Sequence, residues 1–258
     1  MTEKTNENNE QEKINNIEKD EKNNEQNNEQ NNEQNNEQEI NNSSKKDKKA
    51  KKSIAREVME WVVCIVIAFA LALVIKYYVF TPTLVMQDSM TPTILNGERV
   101  LINRLVRTFG WDLERGDIIT FEAPTSHEFA NGGVTAKYYE VEGLLESFIY
   151  NVMEVGKISY IKRVVGLPGD LVEIKDGDVY VNGELQAEEY LQKSVETQMP
   201  EGGMPSKFTV PEGYIFAMGD NREHSTDCRA LGCIPIEKIE GRVSFRIWPI
   251  ETFGNIDK

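Results

Sequence analysis

The feature that most constrains this chain is an apolar stretch from Val58 to Phe80, interrupted by charge only at Glu60 and Lys76. At about 1.5 Å per residue, about 20 helical residues match the hydrocarbon thickness of a bilayer. The two charged residues lie near the ends, where long side chains reach the interface. The stretch is too long and too evenly apolar for a buried core helix, and no small-residue cleavage pattern follows it. We therefore expect a transmembrane helix over residues 57–80.

The residues before this stretch differ sharply from it in composition. Residues 1–44 hold 4 basic and 12 acidic residues, and Asn23 to Gln38 repeats Asn-Asn-Glu-Gln four times. Such a segment has too few apolar side chains to offset the chain entropy lost on folding, so we expect a disordered tail. Residues 45–56 carry 7 basic residues and 1 acidic residue. Because basic flanks stay in the cytoplasm, the tail is predicted to be cytoplasmic and the chain after Phe80 extracytoplasmic.

The chain after the apolar stretch, residues 81–258, is predicted to form one β-rich extracytoplasmic domain. Its candidate strands are rich in β-branched and aromatic residues, and Gly, Pro, Asn or Asp bounds most of them. They are Arg99–Asn103, Asp117–Phe121, Tyr160–Val165, Leu171–Ile174, Val179–Val181, Tyr214–Met218 and Arg242–Ile247. Asp176-Gly177 and Asn182-Gly183 are hairpin-turn sequences. The pattern predicts antiparallel sheets in a barrel-like or sandwich-like arrangement.

One segment, near residues 140–156, departs from this β pattern. Its apolar residues recur at three- and four-residue steps, which predicts an amphipathic helix. These residues are Leu144, Leu145, Phe148, Ile149, Val152 and Met153. The sequence leaves open whether the apolar face packs on the sheet or faces the membrane or a partner.

Charge and cysteine content exclude several classes of protein. The formal net charge is -14, of which residues 57–258 carry -12. Because a nucleic-acid-binding surface needs basic patches, this acidic domain argues against a nucleic-acid partner. Three cysteines are too few for a disulfide scaffold. Cys228 and Cys233 lie on the predicted outer side, where disulfides persist, and the sequence leaves open whether they pair.

Three separated motifs carry the candidate chemistry. The first, Met86–Thr93, offers the hydroxyl of Ser89 between a Gln-Asp pair and a proline that prevents a helix from continuing. The second, Tyr160–Asp170, contains Lys162, and the third, Gly219–Arg229, contains further hydroxyl and charged groups. A serine in a loop is ordinary by itself, so the three motifs have to be considered together.

In this order, the motifs resemble those of the bacterial type I signal peptidases, the membrane-bound Ser/Lys proteases that release secreted proteins from their leaders. The resemblance runs from about Glu57 to about Trp248, and the apolar stretch lies where that family has its membrane anchor. It implies a mostly β fold and cleavage of signal-peptide-bearing preproteins at the outer face of the lipid bilayer. It implies no cofactor and no metal.

The resemblance also implies roles for individual residues. Ser89 matches the nucleophile of the family and Lys162 its general base. Ser225 matches the serine that hydrogen-bonds the lysine and orients it. Asp227 and Arg229 match a structural ion pair near the site. Structural roles are likewise expected for the rest of the third motif and for the further family box, namely Gly219, Asp220, Arg222 and Arg115–Asp117.

Two positions depart from the family pattern. Two residues before the nucleophile, family members carry a Ser that helps to hold the oxyanion or a Gly, and this chain has Gln87. The Ser89 backbone N–H still serves as one oxyanion donor, and the Gln87 side-chain amide is the candidate for the second. The residue before Arg229 is usually Ser in the family and is Cys228 here.

The residues themselves offer a physical reason for Lys162 as a base. A free lysine has a pKa near 10.4 and is charged at neutral pH, but burial without a counter-ion lowers that pKa. In a strand, side chains alternate between two faces. Tyr160, Lys162 and Val164 share one face of the predicted strand, and Ile161, Arg163 and Val165 share the other. If the first face points inward, Lys162 has the apolar surroundings that a neutral lysine requires.

Other catalytic classes stay open at this stage. The chain has two histidines, His127 and His224. His224 lies between Asp220 and Asp227, which allows a Ser-His-Asp arrangement, although no Gly-x-Ser-x-Gly elbow surrounds Ser89. The alternatives are a His-based hydrolase, another Ser/Lys endopeptidase such as a self-cleaving repressor, and a membrane-anchored binding module without catalysis.

The charge pattern around the apolar stretch generates a testable topology. Single cysteines placed in the tail should react with a membrane-impermeant reagent only after cell lysis. Cysteines placed after Phe80 should react in intact cells, because the basic residues at 45–56 hold their side of the helix in the cytoplasm. The opposite labelling pattern would put the candidate site on the wrong side of the membrane for a signal peptidase.

Overall fold

The computed structural model describes residues 56–130, 133–192 and 195–256. The predicted tail and all of the basic segment except Arg56 lie outside the described residues. The chain divides into two compact units, Met1–Ala68 and Phe69–Lys258. The described part of the first unit is helical.

Helix α1 runs from Arg56 to Tyr78 and is long and apolar enough, by length and composition, to cross a membrane. Helix α1 covers the start of the predicted 57–80 span and ends two residues before its end. The helix gives way to an extended strand from Phe80, in which Pro82 lacks a backbone N–H and disfavours the helical conformation at Thr81.

The second unit is mostly antiparallel β structure. Its strands are β1 Phe80–Leu84, β2 Arg99–Asn103, β3 Ile118–Glu122, β4 Ser126–Ala130, β5 Gly133–Lys137, β6 Ser159–Gly166, β7 Leu171–Lys175, β8 Asp178–Val181, β9 Glu184–Leu185, β10 Lys207–Thr209, β11 Tyr214–Met218, β12 Ile234–Pro235, β13 Ile239–Trp248 and β14 Gly254–Asn255. Every strand predicted from the sequence is present, with small shifts at the ends. The β4–β5 hairpin and the short strands β1, β9, β10, β12 and β14 were not predicted.

The largest sheet has the order β1-β2-β13-β3-β6-β11-β12, and β14 pairs with β13. A four-stranded sheet has the order β10-β7-β8-β9, and β4 pairs only with β5. The long strand β13 shifts register within Ile239–Gly241, Val243–Phe245 and Arg246–Trp248. Such bulges bend a strand and increase its twist, so the sheet curls. These observations confirm the predicted mostly β fold with one apolar N-terminal helix.

Both predicted hairpin turns are present and follow from backbone conformation. Asp176 and Gly177 join β7 to β8 with φ of 53° and 89°. Asn182 and Gly183 join β8 to β9 with φ of 56° and 86°. Two successive positive φ angles match the twist of the flanking strands, and Asn, Asp and Gly tolerate them best.

The helices of the second unit are short. They are α2 Leu105–Phe109, α3 Leu144–Asn151 and α4 Cys228–Leu231, with 3-10 turns at Arg222–His224, Ile236–Lys238 and Ile250–Thr252. Helix α3 falls within the segment predicted to be helical at 140–156 but is shorter. It starts after Gly143, whose φ of 89° is not helical, and Glu154 has a positive φ.

Two apolar clusters form the core and fix the position of the motifs. The larger one lies between the large sheet and the four-stranded sheet, with Phe216 of β11 and Val172 of β7 fully buried. The smaller one contains Met90 of the first motif and Ile94 directly after it, together with residues of β2, β3 and β13. The loop that carries Ser89 is therefore anchored by its own apolar side chains against the sheet.

Candidate active site

Ser89 lies in the turn after β1, where its neighbours hold the backbone on two sides. Met90 is fully buried, and its carbonyl accepts a hydrogen bond of 3.0 Å from the N–H of Ile94. The Ser89 carbonyl accepts a hydrogen bond of 3.0 Å from the N–H of Asn221, in the third motif. The Asn221 amide also donates to the Asp88 carbonyl. The first and third motifs are thus joined directly through their backbones.

Lys162 lies on β6 and contacts the Ser89 hydroxyl. Its Nζ is 2.8 Å from Ser89 Oγ and 2.9 Å from the Ile161 carbonyl oxygen, to which it donates. The ring of Tyr160 lies beneath the amine, 5.4 Å from Nζ to the ring centroid. Lys162 is 1% exposed, and Ser89 is 4% exposed. The structure therefore brings together two side chains that are 73 residues apart in sequence.

Burial lowers the pKa of Lys162 from 10.5 to about 8. Desolvation is the main cause, and it outweighs the opposite effect of the negative charges of Asp227 and Asp220. No carboxylate within the described part of the chain forms an ion pair with Lys162. A lysine with this pKa is neutral in roughly one molecule in ten at pH 7, against about one in three thousand at the ordinary value.

Both faces of β6 are buried at this point, so the next residue is buried as well. Arg163 is fully buried, but its guanidinium forms two hydrogen bonds with Asp220, of 2.9 and 2.7 Å. Thr93 of the first motif donates to the same carboxylate, at 2.5 Å. The sequence analysis did not identify this ion pair. The neighbouring positions of β6 thus hold one compensated cation and one uncompensated lysine.

The ion pair expected between Asp227 and Arg229 is present and fully buried. The carboxylate accepts from Arg229 Nε and Nη2, each at 2.9 Å, and also caps α4 by accepting from the Arg229 N–H. Asp227 further accepts from the Gly219 N–H at 3.0 Å. The pair therefore fixes both ends of the turn that contacts the Ser89 backbone. Arg222, also in the third motif, forms an ion pair with Glu188, which lies outside the three motifs.

Ser225 and Gln87 lie near the site but make no bonds to it. The Oγ of Ser225 is buried and has no hydrogen-bond partner among the described residues, so it is not bonded to Lys162 here. A Cβ built on Gly219 would approach both Ser225 Oγ and the Ser89 carbonyl oxygen, which places Ser225 beside the loop that carries Ser89. Gln87 is exposed, and the Ser89 N–H donates to no described acceptor.

The histidines and cysteines have different surroundings. His224 is exposed in a 3-10 turn and makes no side-chain hydrogen bond with described residues. The backbone of His127 lies in β4. Cys228 and Cys233 are buried free thiols, so the disulfide that the sequence left open is not formed. Burial raises the pKa of both thiols, to about 12 for Cys233. Within the described ranges, no group of three or more His, Cys, Asp or Glu residues is arranged to hold a metal ion.

The sequence signal for the missed contacts was present but weak. Arg163 and Asp220 are charged residues beside apolar strand residues, which predicts burial with a partner. Which charges pair depends on strand order, because β6 and β11 are neighbours only in the folded sheet. Sequence proximity instead favours pairing Asp220 with Arg222, and this pair does not form.

Taken together, an antiparallel β domain holds a buried serine hydroxyl against a lysine amine whose pKa is lowered. Comparison with known proteins gives the family. Residues 58–248 match the family model described as "Signal peptidase, peptidase S26", and the chain belongs to this family. Its members cleave signal peptides, and family membership implies a serine endopeptidase.

Two signal peptidases agree with this family assignment in sequence. The chain is 31% identical over 208 residues to signal peptidase IB of Staphylococcus aureus (strain COL), covering 76% of this chain and 92% of that protein. It is 36% identical over 196 residues to signal peptidase I T of Bacillus subtilis (strain 168), covering 74% and 86%. A crystal structure of a signal peptidase I from Enterococcus faecalis V583 is 25% identical, with a TM-score of 0.31, and the match covers 51% of this chain and 96% of that one.

The close approach at Gly219 generates a prediction. A Cβ on this residue would lie well inside 3.0 Å of Ser225 Oγ and the Ser89 carbonyl oxygen. Gly219→Ala should displace the loop that carries Ser89 and lower kcat/KM by about a hundredfold, because catalysis is sensitive to misplacement of about 1 Å. Gly183→Ala is the control, because it adds strain at a φ of 86° with open space around it. Equal activity of the two variants, in a precursor-cleavage assay on folded protein, would contradict the conclusion that close packing at Gly219 fixes the position of Ser89.

Proposed function

We propose that this protein cleaves N-terminal signal peptides from secreted preproteins with Ser89 as the nucleophile and Lys162 as the general base. The observation that carries the proposal is the 2.8 Å contact between Lys162 Nζ and Ser89 Oγ in a buried environment. A serine hydroxyl is a weak nucleophile until a base removes its proton. An amine whose pKa is lowered to about 8 is available as that base near neutral pH.

In the proposed first step, neutral Lys162 accepts the proton of Ser89 Oγ as the oxygen attacks the carbonyl carbon of the scissile peptide bond. The resulting oxyanion needs hydrogen-bond donors that are already in place. The Ser89 N–H is one candidate, since no described acceptor uses it, and the exposed Gln87 amide is the second. The tetrahedral intermediate then collapses, the C–N bond breaks, and the protonated Lys162 gives its proton to the leaving amine.

The second half repeats this proton transfer with water. The leader remains as an ester on Ser89, and Lys162 removes a proton from the incoming water molecule. The hydroxide attacks the ester carbon, and Lys162 returns the proton to Ser89 Oγ as the C–O bond breaks. The ion pair of Asp227 with Arg229 acts in this scheme by fixing the turn around the nucleophile. By resemblance to the family, Ser225 positions the amine.

The edge of β6 beside Lys162 supports substrate binding by strand addition. Residues Ser159–Ile161 pair with β3 on one side, whereas β11 pairs with β6 only from Arg163 onward. The described part of the chain supplies no other strand to this half of β6. An extended peptide can therefore add its backbone here, next to the dyad. By resemblance to the family, small residues occupy the first and third positions before the cut.

Helix α1 supports a location in the cell membrane. In this proposal α1 crosses the cytoplasmic membrane once, the N-terminus is cytoplasmic, and the β-rich domain lies outside. The bilayer then holds both the enzyme and the apolar segment of the leader, which raises their effective concentration. A soluble self-cleaving repressor would have no use for such a helix, and a binding module would not need an unpaired buried lysine.

Substitution of the two dyad residues tests the mechanism. Ser89→Ala and Lys162→Ala should each lower the cleavage rate of a leader-bearing precursor by about a thousandfold or more, because nucleophile and base act as one unit. Lys162→Arg should be equally inactive, since a guanidinium does not lose its proton in proteins. Lys162→Met should be inactive yet raise the free energy of unfolding at pH 7 by on the order of 2 kcal/mol, because burial of the uncompensated amine no longer opposes folding.

Two further variants separate this mechanism from a His-based one. His224→Ala should retain most of the rate, because the imidazole is exposed and unbonded. Ser225→Ala should slow cleavage by roughly tenfold, less than loss of either dyad residue, since it affects only orientation. If His224→Ala is as inactive as Ser89→Ala while Lys162→Ala keeps substantial activity, a His-based triad replaces the proposed dyad. The cut site should be mapped in each active variant.

The pH dependence follows from the lowered pKa of Lys162. The base is neutral only above its pKa, so kcat/KM should rise about tenfold per pH unit below pH 8 and level off above it. Measurement of kcat/KM from pH 6 to pH 10 tests this expectation with a single precursor. A profile that is already half-maximal near pH 6.5 and flat above about pH 7.5 would instead indicate a base with the ordinary pKa of histidine.

A further inference from the structure

Helix α3, Leu144–Asn151, presents its apolar side to the outside of the domain. None of its residues is buried. Leu144 is 93% exposed and Leu145 is 73% exposed. Phe148 and Ile149, one turn further along, are also exposed. On a helix that packs on a sheet these residues would face the protein, so the orientation is the reverse of the usual one.

The polar side of α3 is the side that attaches to the rest of the domain. The Tyr150 hydroxyl donates to Glu122 of β3 at 3.2 Å. One turn earlier, Glu146 accepts from the Tyr139 hydroxyl at 2.7 Å. At 100° per residue, Glu146 and Tyr150 lie roughly opposite the centre of the apolar side. Specific contacts therefore hold α3 with its apolar side outward.

The segment that follows α3 is bound to the last turn of α1. Lys76 Nζ donates to the Val152 carbonyl oxygen at 3.2 Å and forms an ion pair of 3.1 Å with Glu154. Arg104, which is buried, also pairs with Glu154. At about 1.5 Å per residue, Leu144 is only about 12 Å along the helix axis from Val152. The exposed apolar side is thus close to the end of the helix that crosses the membrane.

We infer that α3 lies in the outer membrane–water interface, with Leu144, Leu145, Phe148 and Ile149 in contact with lipid, as a second membrane contact of the protein. The inference rests on α1 spanning the membrane, as proposed above. Apolar surface of this extent on a monomer marks a contact with a membrane or a partner, and the tether to Lys76 favours the membrane. The contact would fix the height of the β6 edge above the bilayer.

Charge on α3 distinguishes this contact from that of a free amphipathic peptide. Interfacial helices that bind on their own are usually rich in Lys and Arg, which attract anionic lipids. Helix α3 has no basic residue, and its one charged residue, Glu146, is engaged with Tyr139. Because α1 already anchors the chain, α3 is held at a high effective concentration near the lipid, and burial of its apolar side chains is enough to maintain the contact. The contact should therefore be independent of anionic lipid.

Depth-dependent fluorescence quenching on the full-length protein in phosphatidylcholine vesicles tests this inference. A polarity-sensitive fluorophore on Cys64, in α1, reports the anchor. The same label on Leu144→Cys in a Cys64→Ala background reports α3, and Leu185→Cys is the matched control, an exposed leucine on β9. Lipids carrying a nitroxide near the headgroup should quench the Leu144 label about twofold more than those with a deep nitroxide, as expected for interfacial depth. The Leu185 label should be unaffected.

Each outcome has a defined meaning. Equal quenching at Leu144 and Leu185, with the Cys64 label quenched, would overturn the α3 contact and leave the anchor and the proposed function intact. An unquenched Cys64 label would overturn the anchor and the inference with it. A Leu144 label that responds only when a precursor is added would assign α3 to the substrate and also overturn the inference. Unchanged quenching on addition of phosphatidylglycerol would support an apolar contact.

A kinetic measurement tests the consequence for cleavage. Leu144→Glu/Leu145→Glu places charge on the apolar side at exposed positions, so folding should be preserved. KM for a membrane-inserted precursor should rise about three- to tenfold, while kcat/KM for a short soluble peptide stays unchanged, because only the first substrate depends on the height of the site above the bilayer. Leu185→Glu should change neither. Equal kinetics of the double variant and wild type on the inserted precursor would contradict the inference.

Discussion

The burial of an uncompensated lysine against a serine hydroxyl is the interaction on which the rest of this site depends. An amine in water holds its proton at neutral pH, and only desolvation shifts it toward the neutral form. Lys162 obtains that environment from its position in the middle of β6, between β3 and β11, over the ring of Tyr160. Burial of this amine destabilises the folded domain. The remainder of the domain has to hold the Ser89 hydroxyl against Lys162.

Arg163, the residue after Lys162, shows that only one of the two neighbouring buried cations lacks an ion-pair partner among the described residues. Arg163 is as deeply buried as Lys162, yet Asp220 and Thr93 satisfy its guanidinium. A buried cation without a partner is costly, so the fold supplies one wherever charge is only structural. Asp227 is likewise used by Arg229 and the Gly219 N–H. The nearby carboxylates are thereby occupied, and the amine of Lys162 is left without an ion-pair partner among the described residues.

Ser89 is held in place by contacts with two other parts of the domain. Next to Ser89 in sequence, Met90 and Ile94 pack into the smaller apolar cluster. In the third motif, the Asn221 N–H donates to the Ser89 carbonyl, and the Asp227 carboxylate accepts from the Gly219 N–H in the same turn. The proposed membrane contacts act at longer range, since Lys76 of α1 forms an ion pair with Glu154, in the segment that follows α3. Local packing thus sets the distance between Ser89 and Lys162, and in our proposal the membrane sets the position of the site relative to the substrate.

The sequence by itself determined the mostly β fold, the apolar helix and both hairpin turns, because these depend on local composition, periodicity and backbone preference. It also identified Ser89 and Lys162 as a pair, through motifs whose order resembles a known family. Only the tertiary structure decided that Arg163 pairs with Asp220, that the Ser225 hydroxyl has no hydrogen-bond partner among the described residues, and that α3 turns its apolar side outward. These features depend on which strands become neighbours and on which face of an element meets the core. Local sequence does not encode contacts between residues that are far apart in the chain.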